Sequence, residues 1–427
     1  MLRIPDSQFP KLFALTQSFP ATPELDIAQS LRAGWDLPVQ PGQRMAIAVG
    51  SRGISRVAEV IREVVKLLQA LGALPFIVPA MGSHGGATAQ GQTELLAGYG
   101  VSEANLGVPV CAAMDAELLG HTEDGIPVHL SKEALGADGI LVVNRVKPHT
   151  EFRGPVESGL LKMIAVGLGK ELGATAFHVA CQRVPFARVV ETICKVKLAK
   201  APFIGGIALV ENQRHELCRL EVIPTKDFEL REPQVLDEAR SLMARLPFDD
   251  IDLLIVDYMG KNISGAGIDP NVIGRDCWGY YSHLVQTPTR TPFIRRIFVR
   301  DLTPETHGNA IGIGVADFTT SRLVRAIDYP TMYMNVLTSQ AILSPKIPLH
   351  LETDRDVLAH ALATLALADA SRARVVRIRD SLSLGEMQIS EALAEEVANR
   401  PNISLTPLGQ SFSFDQDNNF LPLGDAG

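Results

Sequence analysis

Cysteine is scarce in this chain. There are five in 427 residues: Cys111, Cys181, Cys194, Cys218 and Cys277. Their odd number, wide spacing and lack of any C-x-x-C pair exclude a disulfide framework and a cysteine zinc site. Reduced thiols in a cytoplasmic protein are expected instead. Positive charge is also in deficit, with 40 Lys+Arg against 48 Asp+Glu and a net charge of −8. That excludes an electrostatic nucleic-acid binder, which needs a dense basic face. No apolar run reaches the roughly 18 residues of a membrane span; the nearest, Ala359 to Ala370, reads as an Ala-rich helix. The opening Met1-Leu2-Arg3-Ile4-Pro5-Asp6 lacks the basic and apolar regions of a secretory signal. Neither G-x-x-x-x-G-K-[ST] nor a G-x-G-x-x-G after a strand is present, which removes the common nucleotide-binding loops.

What remains is ample core material. Apolar residues make up 46% of the chain and charged residues 21%, and the length suggests two or three domains rather than one. After an irregular lead-in with one helix at 23–33, a strand–helix alternation begins. Met45–Val49, Leu74–Val78, Val108–Ala112, Gly139–Val143 and Gly205–Val210 are short apolar runs, as expected of strands covered on both faces. Val57, Val60, Ile61, Val64, Leu67, Leu68 and Leu71 follow a helical period, with Ser55 as the expected cap. Further helices are expected at 88–99, 158–167, 174–182 and 186–199. The pattern predicts two α/β domains with mainly parallel sheets, at 1–245 and 246–427, with an interdomain cleft. The second domain is to carry strands at 251–256 and 294–299.

Open parallel sheets bind ligands beyond the carboxyl ends of their strands. Three loops fall there: Gly50-Ser51-Arg52-Gly53, Met81-Gly82-Ser83-His84-Gly85-Gly86 and Arg145-Val146-Lys147-Pro148-His149-Thr150. If the strands are parallel, Arg52, His84 and His149 share one edge of one sheet. Taken singly, each has an ordinary reading as a surface ion pair or a structural histidine. The Gly82–Gly86 turn, with Ser83 and Gly85, also reads as an anion cradle.

Lys162 interrupts the apolar stretch from Gly159 to Val166. A buried ammonium without a partner costs several kcal/mol. Either Lys162 snorkels to solvent, or its charge is removed by a depressed pKa or a covalent bond. His178 follows sixteen residues later between Phe177 and Val179, as a core histidine or a single metal ligand. His121, His129, His215, His283, His307, His350 and His360 are read as structural or surface residues.

The ordered set Arg52, His84, His149, Lys162 and His178 resembles the nickel-dependent lactate racemase family, over roughly residues 45–180. That resemblance implies racemisation or epimerisation of a 2-hydroxy acid with a nickel-pincer nucleotide, made by dedicated cofactor-synthesis proteins. It implies Lys162 as the attachment point, covalent or not, and His178 as nickel ligand, with Ser83 and Gly85 in the cofactor site. It implies His84 and His149 as the two general bases and Arg52 as the residue that binds substrate. Sulfur donors on the cofactor suit a square-planar nickel site without protein cysteine. Val49-Gly50-Ser51-Arg52-Gly53 and Met163 after Lys162 depart from the family phrasing and point away from lactate itself. In the second domain, Arg275 or Lys261 is expected to meet a substrate carboxylate. Two alternatives stay open: a nickel-independent hydrolase or lyase acting on a phosphorylated ligand, and a non-enzymatic carrier of the nickel nucleotide.

Overall fold

Short apolar runs bounded by glycine and proline fold here as strands, and apolar residues at helical spacing fold as helices. The structure, a computed structural model, describes residues 3–50, 53–150, 153–275, 292–339 and 341–423. It forms two compact units, Ala21–Met243 and Met1–Pro20 with Ala244–Gly427. The first strand, β1 (Leu12–Gln17), pairs with two strands near the C-terminus and so belongs to the second unit. The sequence pattern placed these residues in the N-terminal domain as a lead-in. Six residues between Pro10 and Pro20 are too few to announce a strand whose partners lie so far away.

The unit Ala21–Met243 begins with α1 (Ile27–Gly34), β2 (Arg44–Val49), α2 (Val57–Ala70), β3 (Leu74–Pro79), α3 (Ala89–Gly98) and α4 (Glu103–Leu106). A hairpin of β4 (Ala116–His121) and β5 (Pro127–Ser131), then α5 (Lys132–Leu135), leads to β6 (Gly139–Arg145). Three helices come next, α6 (Leu160–Ala165), α7 (Lys170–Ala180) and α8 (Phe186–Lys200), before β7 (Phe203–Glu211), β8 (Leu217–Pro224) and α9 (Phe228–Ser241). The five-stranded sheet has the order β3-β2-β6-β7-β8. Its first four strands are parallel and β8 joins antiparallel. One face of α2 (Val57, Val60, Ile61, Val64, Leu68) buries itself in a cluster with Ile47, Leu141 and Ile207 of the sheet.

Two local expectations fail for identifiable reasons. Val108–Ala112 is not a strand; it makes a single bridge between Val110 and Ile77. Pro109 has no N–H to extend the ladder, although its carbonyl accepts from Ile77 N at 2.8 Å. Ser55 does not cap α2. Its N–H donates to Glu211 Oε1 at 2.8 Å, and Arg56, in the left-handed region at φ 57°, precedes the helix instead.

The second unit holds β9 (Asp250–Met259), β10 (Phe293–Leu302), β11 (Phe318–Thr320), β12 (Leu349–Leu351), β13 (Val375–Ile378), β14 (Glu386–Ser390) and β15 (Ile403–Pro407). Its eight-stranded sheet runs β12-β11-β10-β9-β13-β14-β1-β15. It is parallel from β12 to β13 and antiparallel beyond. Both units are therefore α/β with mainly parallel sheets. A buried charge network crosses the second sheet. Arg377 binds Asp257 through Nε at 2.9 Å, and Arg300 meets Asp257 at 3.0 Å and Asp354 at 2.6 Å. Phe420 covers both guanidinium groups, 5.2 and 4.7 Å from its ring centre. Among the described residues no helix is long and apolar enough to cross a membrane.

Candidate functional site

Because β3, β2 and β6 are adjacent and parallel, the loops that follow them leave the same edge of the sheet. These are the three loops singled out from the sequence. Arg52 and Ser51 lie outside the described residues. His84 and His149, on the other two loops, are both described.

The loop after β6 is closed at its base by a two-way backbone bridge between Lys147 and Ser158. Inside it sits Glu157, 1% exposed. Its carboxylate accepts from His149 N at 2.7 Å, Gly154 N at 3.2 Å and Arg240 of α9 at 2.8 Å. Charge-assisted bonds of this kind are strong when desolvated, so Glu157 fixes the backbone from which the His149 imidazole projects. Arg153 adds a bond to the His149 carbonyl at 2.7 Å.

Lys162 Nζ lies 2.6 Å from His149 Nε2. Such a contact needs one lone pair and one proton, so the two groups are not both cationic. Lys162 is half-buried in α6, whose other side chains from Leu160 to Ala165 are buried. This helix is only six residues long and is held at both ends by polar side chains from elsewhere. At its start, Glu232 of α9 accepts from Leu161 N at 2.9 Å. At its end, Lys197 of α8 donates to the carbonyls of Ile164 at 2.7 Å and Ala165 at 3.0 Å. An acceptor at a helix N-terminus and a donor at its C-terminus satisfy backbone groups that the helix itself leaves unpaired. Neither clamp was read from the sequence.

Burial is the larger influence on both clamps. It pushes Glu232 up to about 8, against partial relief from the Leu161 and Leu160 N–H groups. It pushes Lys197 down to about 7. From pH 4.5 to about 8 the folded chain holds a Glu232 proton that the unfolded chain has released. Stability contributed by that proton is lost as pH rises through this window. Glu232→Gln is expected to remove the loss, at most roughly 1.4 kcal/mol per pH unit. Denaturation midpoints compared at low and neutral pH read the effect. A slope unchanged from wild type would contradict it.

His178 projects from α7 next to this cluster. Burial first, and the Lys162 charge second, hold its pKa down at about 4. Its imidazole is thus neutral near pH 7, the form that ligates metals. Aromatic rings fill the space between the groups. Phe186 lies 5.5 Å from His149, 6.0 Å from Lys162 Nζ and 5.4 Å from Phe177, and Phe177 packs edge-on to His178 at 5.6 Å. His149, Lys162 and His178 therefore form one cluster.

The loop after β3 carries Ser83, half-buried, and His84, exposed. It turns back on itself at Gly85, with φ 65°, where a Cβ would stand 2.6 Å from the carbonyl carbon of Gly91. Only glycine fits there. The loop packs on α7: a Cβ on Gly82 would lie 3.1 Å from Ala174 Cβ, one helical turn before His178. His84 thus stands at the same sheet edge as the cluster, on a loop packed against the helix of His178.

In the second unit, Arg275 binds Asp317 at 2.7 Å, the Ile294 carbonyl at 2.7 Å and the Val315 carbonyl at 3.1 Å. Lys261 Nζ donates to Gly265 O at 3.0 Å. Both side chains are engaged with their own unit, and the carboxylate-binding role expected of either has no support in these contacts. Among the described residues no group of three or more His, Cys, Asp or Glu is arranged to hold a metal. A site with a single protein ligand would not form such a group.

No protein-family model matches this chain, and no curated protein is similar to it. Solved structures similar to this chain include two. One is a protein from Thermotoga maritima, with 13% identity, covering 77% of this chain and 83% of that chain, TM-score 0.49. The other is the lactate racemase apoprotein from Thermoanaerobacterium thermosaccharolyticum, with 15% identity, covering 89% and 86%, TM-score 0.44. Likeness at this level says nothing of activity, which has to be argued from the side chains.

Proposed function

We propose that this chain is an isomerase that inverts the hydroxyl-bearing carbon of a 2-hydroxy acid, using a nickel-pincer nucleotide held by Lys162 and His178. The observation that carries the reading is the joining of three residues from a loop and two successive helices. An amine meets an imidazole at 2.6 Å beside a second imidazole held neutral. The donor set fits the cofactor. His178 offers a neutral nitrogen to nickel, and Lys162 offers an amine in an apolar helix, where bonding to the cofactor removes the cost of its charge.

When bound, the cofactor supplies reversible acceptance of hydride at the substrate carbon. The chain supplies position and proton transfer. An acylated Lys162 no longer accepts a proton, which leaves His149 Nε2 as the base in that contact. Inversion needs a base on each face of the carbon. The loops of His84 and His149 emerge on either side of β2, two strand spacings apart, or roughly 10 Å. That gap suits a small hydroxy acid between two imidazoles. One imidazole would take the hydroxyl proton of the enantiomer bound on its side, and the other would give a proton to the oxygen when the opposite enantiomer forms, with the roles exchanged in the reverse direction.

The test is protein produced together with the cofactor-synthesis proteins, assayed for nickel content and for inversion of a panel of 2-hydroxy acids. Stoichiometric nickel and inversion with retention of the carbon-bound hydrogen are expected. Inversion undiminished in nickel-free protein would overturn the reading. Tight cofactor binding with no acid inverted would leave the carrier alternative.

A further inference from the structure

Lys170 stands out among groups that this mechanism does not use. Its side chain is completely buried, and its backbone adopts φ 53° and ψ −155°, a region that residues other than glycine rarely adopt. Burial lowers its pKa to about 8, with Glu133 partly offsetting. An apolar side chain of similar size would avoid the desolvation. What the ammonium provides is direction: Nζ donates to Pro79 O at 3.0 Å and to Gln92 Oε1 at 3.3 Å.

Gln92 passes that direction on. It is also fully buried, and its Nε2 donates to the carbonyls of Gly82 at 2.9 Å and His84 at 3.2 Å. With Oε1 committed to Lys170, the amide cannot flip without placing oxygen against two carbonyl oxygens. Gly82 N donates in turn to Gly167 O at 3.0 Å, just ahead of Lys170 in the chain. The tripeptide Gly82-Ser83-His84 is thus held from α3 through Gln92 and from the α6–α7 junction through Gly167 and Lys170. Lys170 begins the helix that carries His178.

We propose that Lys170 and Gln92 are positioning residues: a buried relay that fixes the His84 loop in register with the helix of His178. Its catalytic consequence rests on the function proposed above; the relay itself does not. Mispositioning a catalytic group by about 1 Å is enough to cost on the order of a hundredfold in rate.

Three variants test it. Gln92→Met removes the amide. Gln92→Glu keeps the shape and an acceptor for Lys170 but removes both N–H donors. Lys170→Met removes the group that orients the amide. Hydrogen exchange in protein without cofactor is read at the Gly82, His84 and Ala87 amides, all hydrogen-bonded here. Exchange is expected to quicken at least about tenfold there and stay unchanged in β2 and β6. In cofactor-loaded protein, kcat is expected to fall about a hundredfold with KM within about threefold.

Unchanged exchange in both Gln92 variants overturns the relay, whatever the activity. Faster exchange with wild-type kcat overturns its positioning role. Faster exchange in a protein whose wild type inverts no 2-hydroxy acid supports the relay and removes the proposed reaction. Should Lys170→Met not fold, the Gln92 pair decides, and full rescue by Gln92→Glu counts against the relay.

Discussion

Lys162→Met is expected to lower 2-hydroxy acid inversion by at least about a thousandfold, equivalent to roughly 4 kcal/mol of barrier. Methionine keeps the length and apolar stem of the side chain, and the buried neighbours Leu161, Met163 and Ile164 keep α6 packed. The clamps from Glu232 and Lys197 contact the backbone of the helix and not its lysine. Folding is therefore expected to survive while the amine 2.6 Å from His149 is lost. If the cofactor is joined to Lys162, intact mass shows an adduct on wild type and on His149→Ala but none on Lys162→Met. Inversion retained above about a tenth of wild type would rule out an essential amine. An adduct surviving in Lys162→Met would move the attachment elsewhere.

Asp257→Ala is expected to cost the second unit about 3–5 kcal/mol, the usual penalty for breaking a buried ion pair from one side. Asp257 is 2% exposed, and it faces Arg377 at 3% and Arg300 at 8%. The buried guanidinium groups of Arg377 and Arg300 face two buried carboxylates, Asp257 and Asp354, and Arg322 also reaches Asp354 at 3.4 Å. Removing one carboxylate leaves a desolvated positive charge with no water to replace it, under the ring of Phe420. For a unit of this size the penalty corresponds to a melting shift on the order of 10 °C. Thermal denaturation followed by circular dichroism reads it, and a shift below about 3 °C would show the network to be dispensable.

The fold was legible where pattern is local. Strands of the parallel sheet announced themselves as apolar runs, and α2 as an apolar stripe. Their parallel order brought the loops of His84 and His149 to one edge, as the alternation implied. β1 and β8 were missed because each lies among residues whose apolar periodicity is short and broken by proline or charge. Lys162 was conspicuous because apolar residues surround it without interruption. Lys197 and Glu232 were not, although the same signal was present at helical spacing. Lys197 continues the stripe Phe186, Val189, Val190, Ile193, Cys194, and Glu232 sits in the stripe Phe228, Val235, Leu236, Ala239. A charge on an apolar stripe is the signature of a buried cap, and it can be read by period but not by eye along the chain. Lys170 and Gln92 left no such trace, since their partners are each other and backbone carbonyls, which no sequence pattern records.

The place of β1, between β14 and β15, also bears on synthesis. Leu12–Gln17 leaves the ribosome about 370 residues before the nearer of its partners, which at ordinary elongation rates is a wait of roughly 20–70 s. In that interval Ala21–Met243 has all of its own strands and is able to fold. A nascent chain therefore carries a finished middle and an orphaned leading strand. Capture of that strand between its two antiparallel neighbours has to wait until both have been made, and until then its edges are open to a chaperone or to a neighbouring chain's sheet.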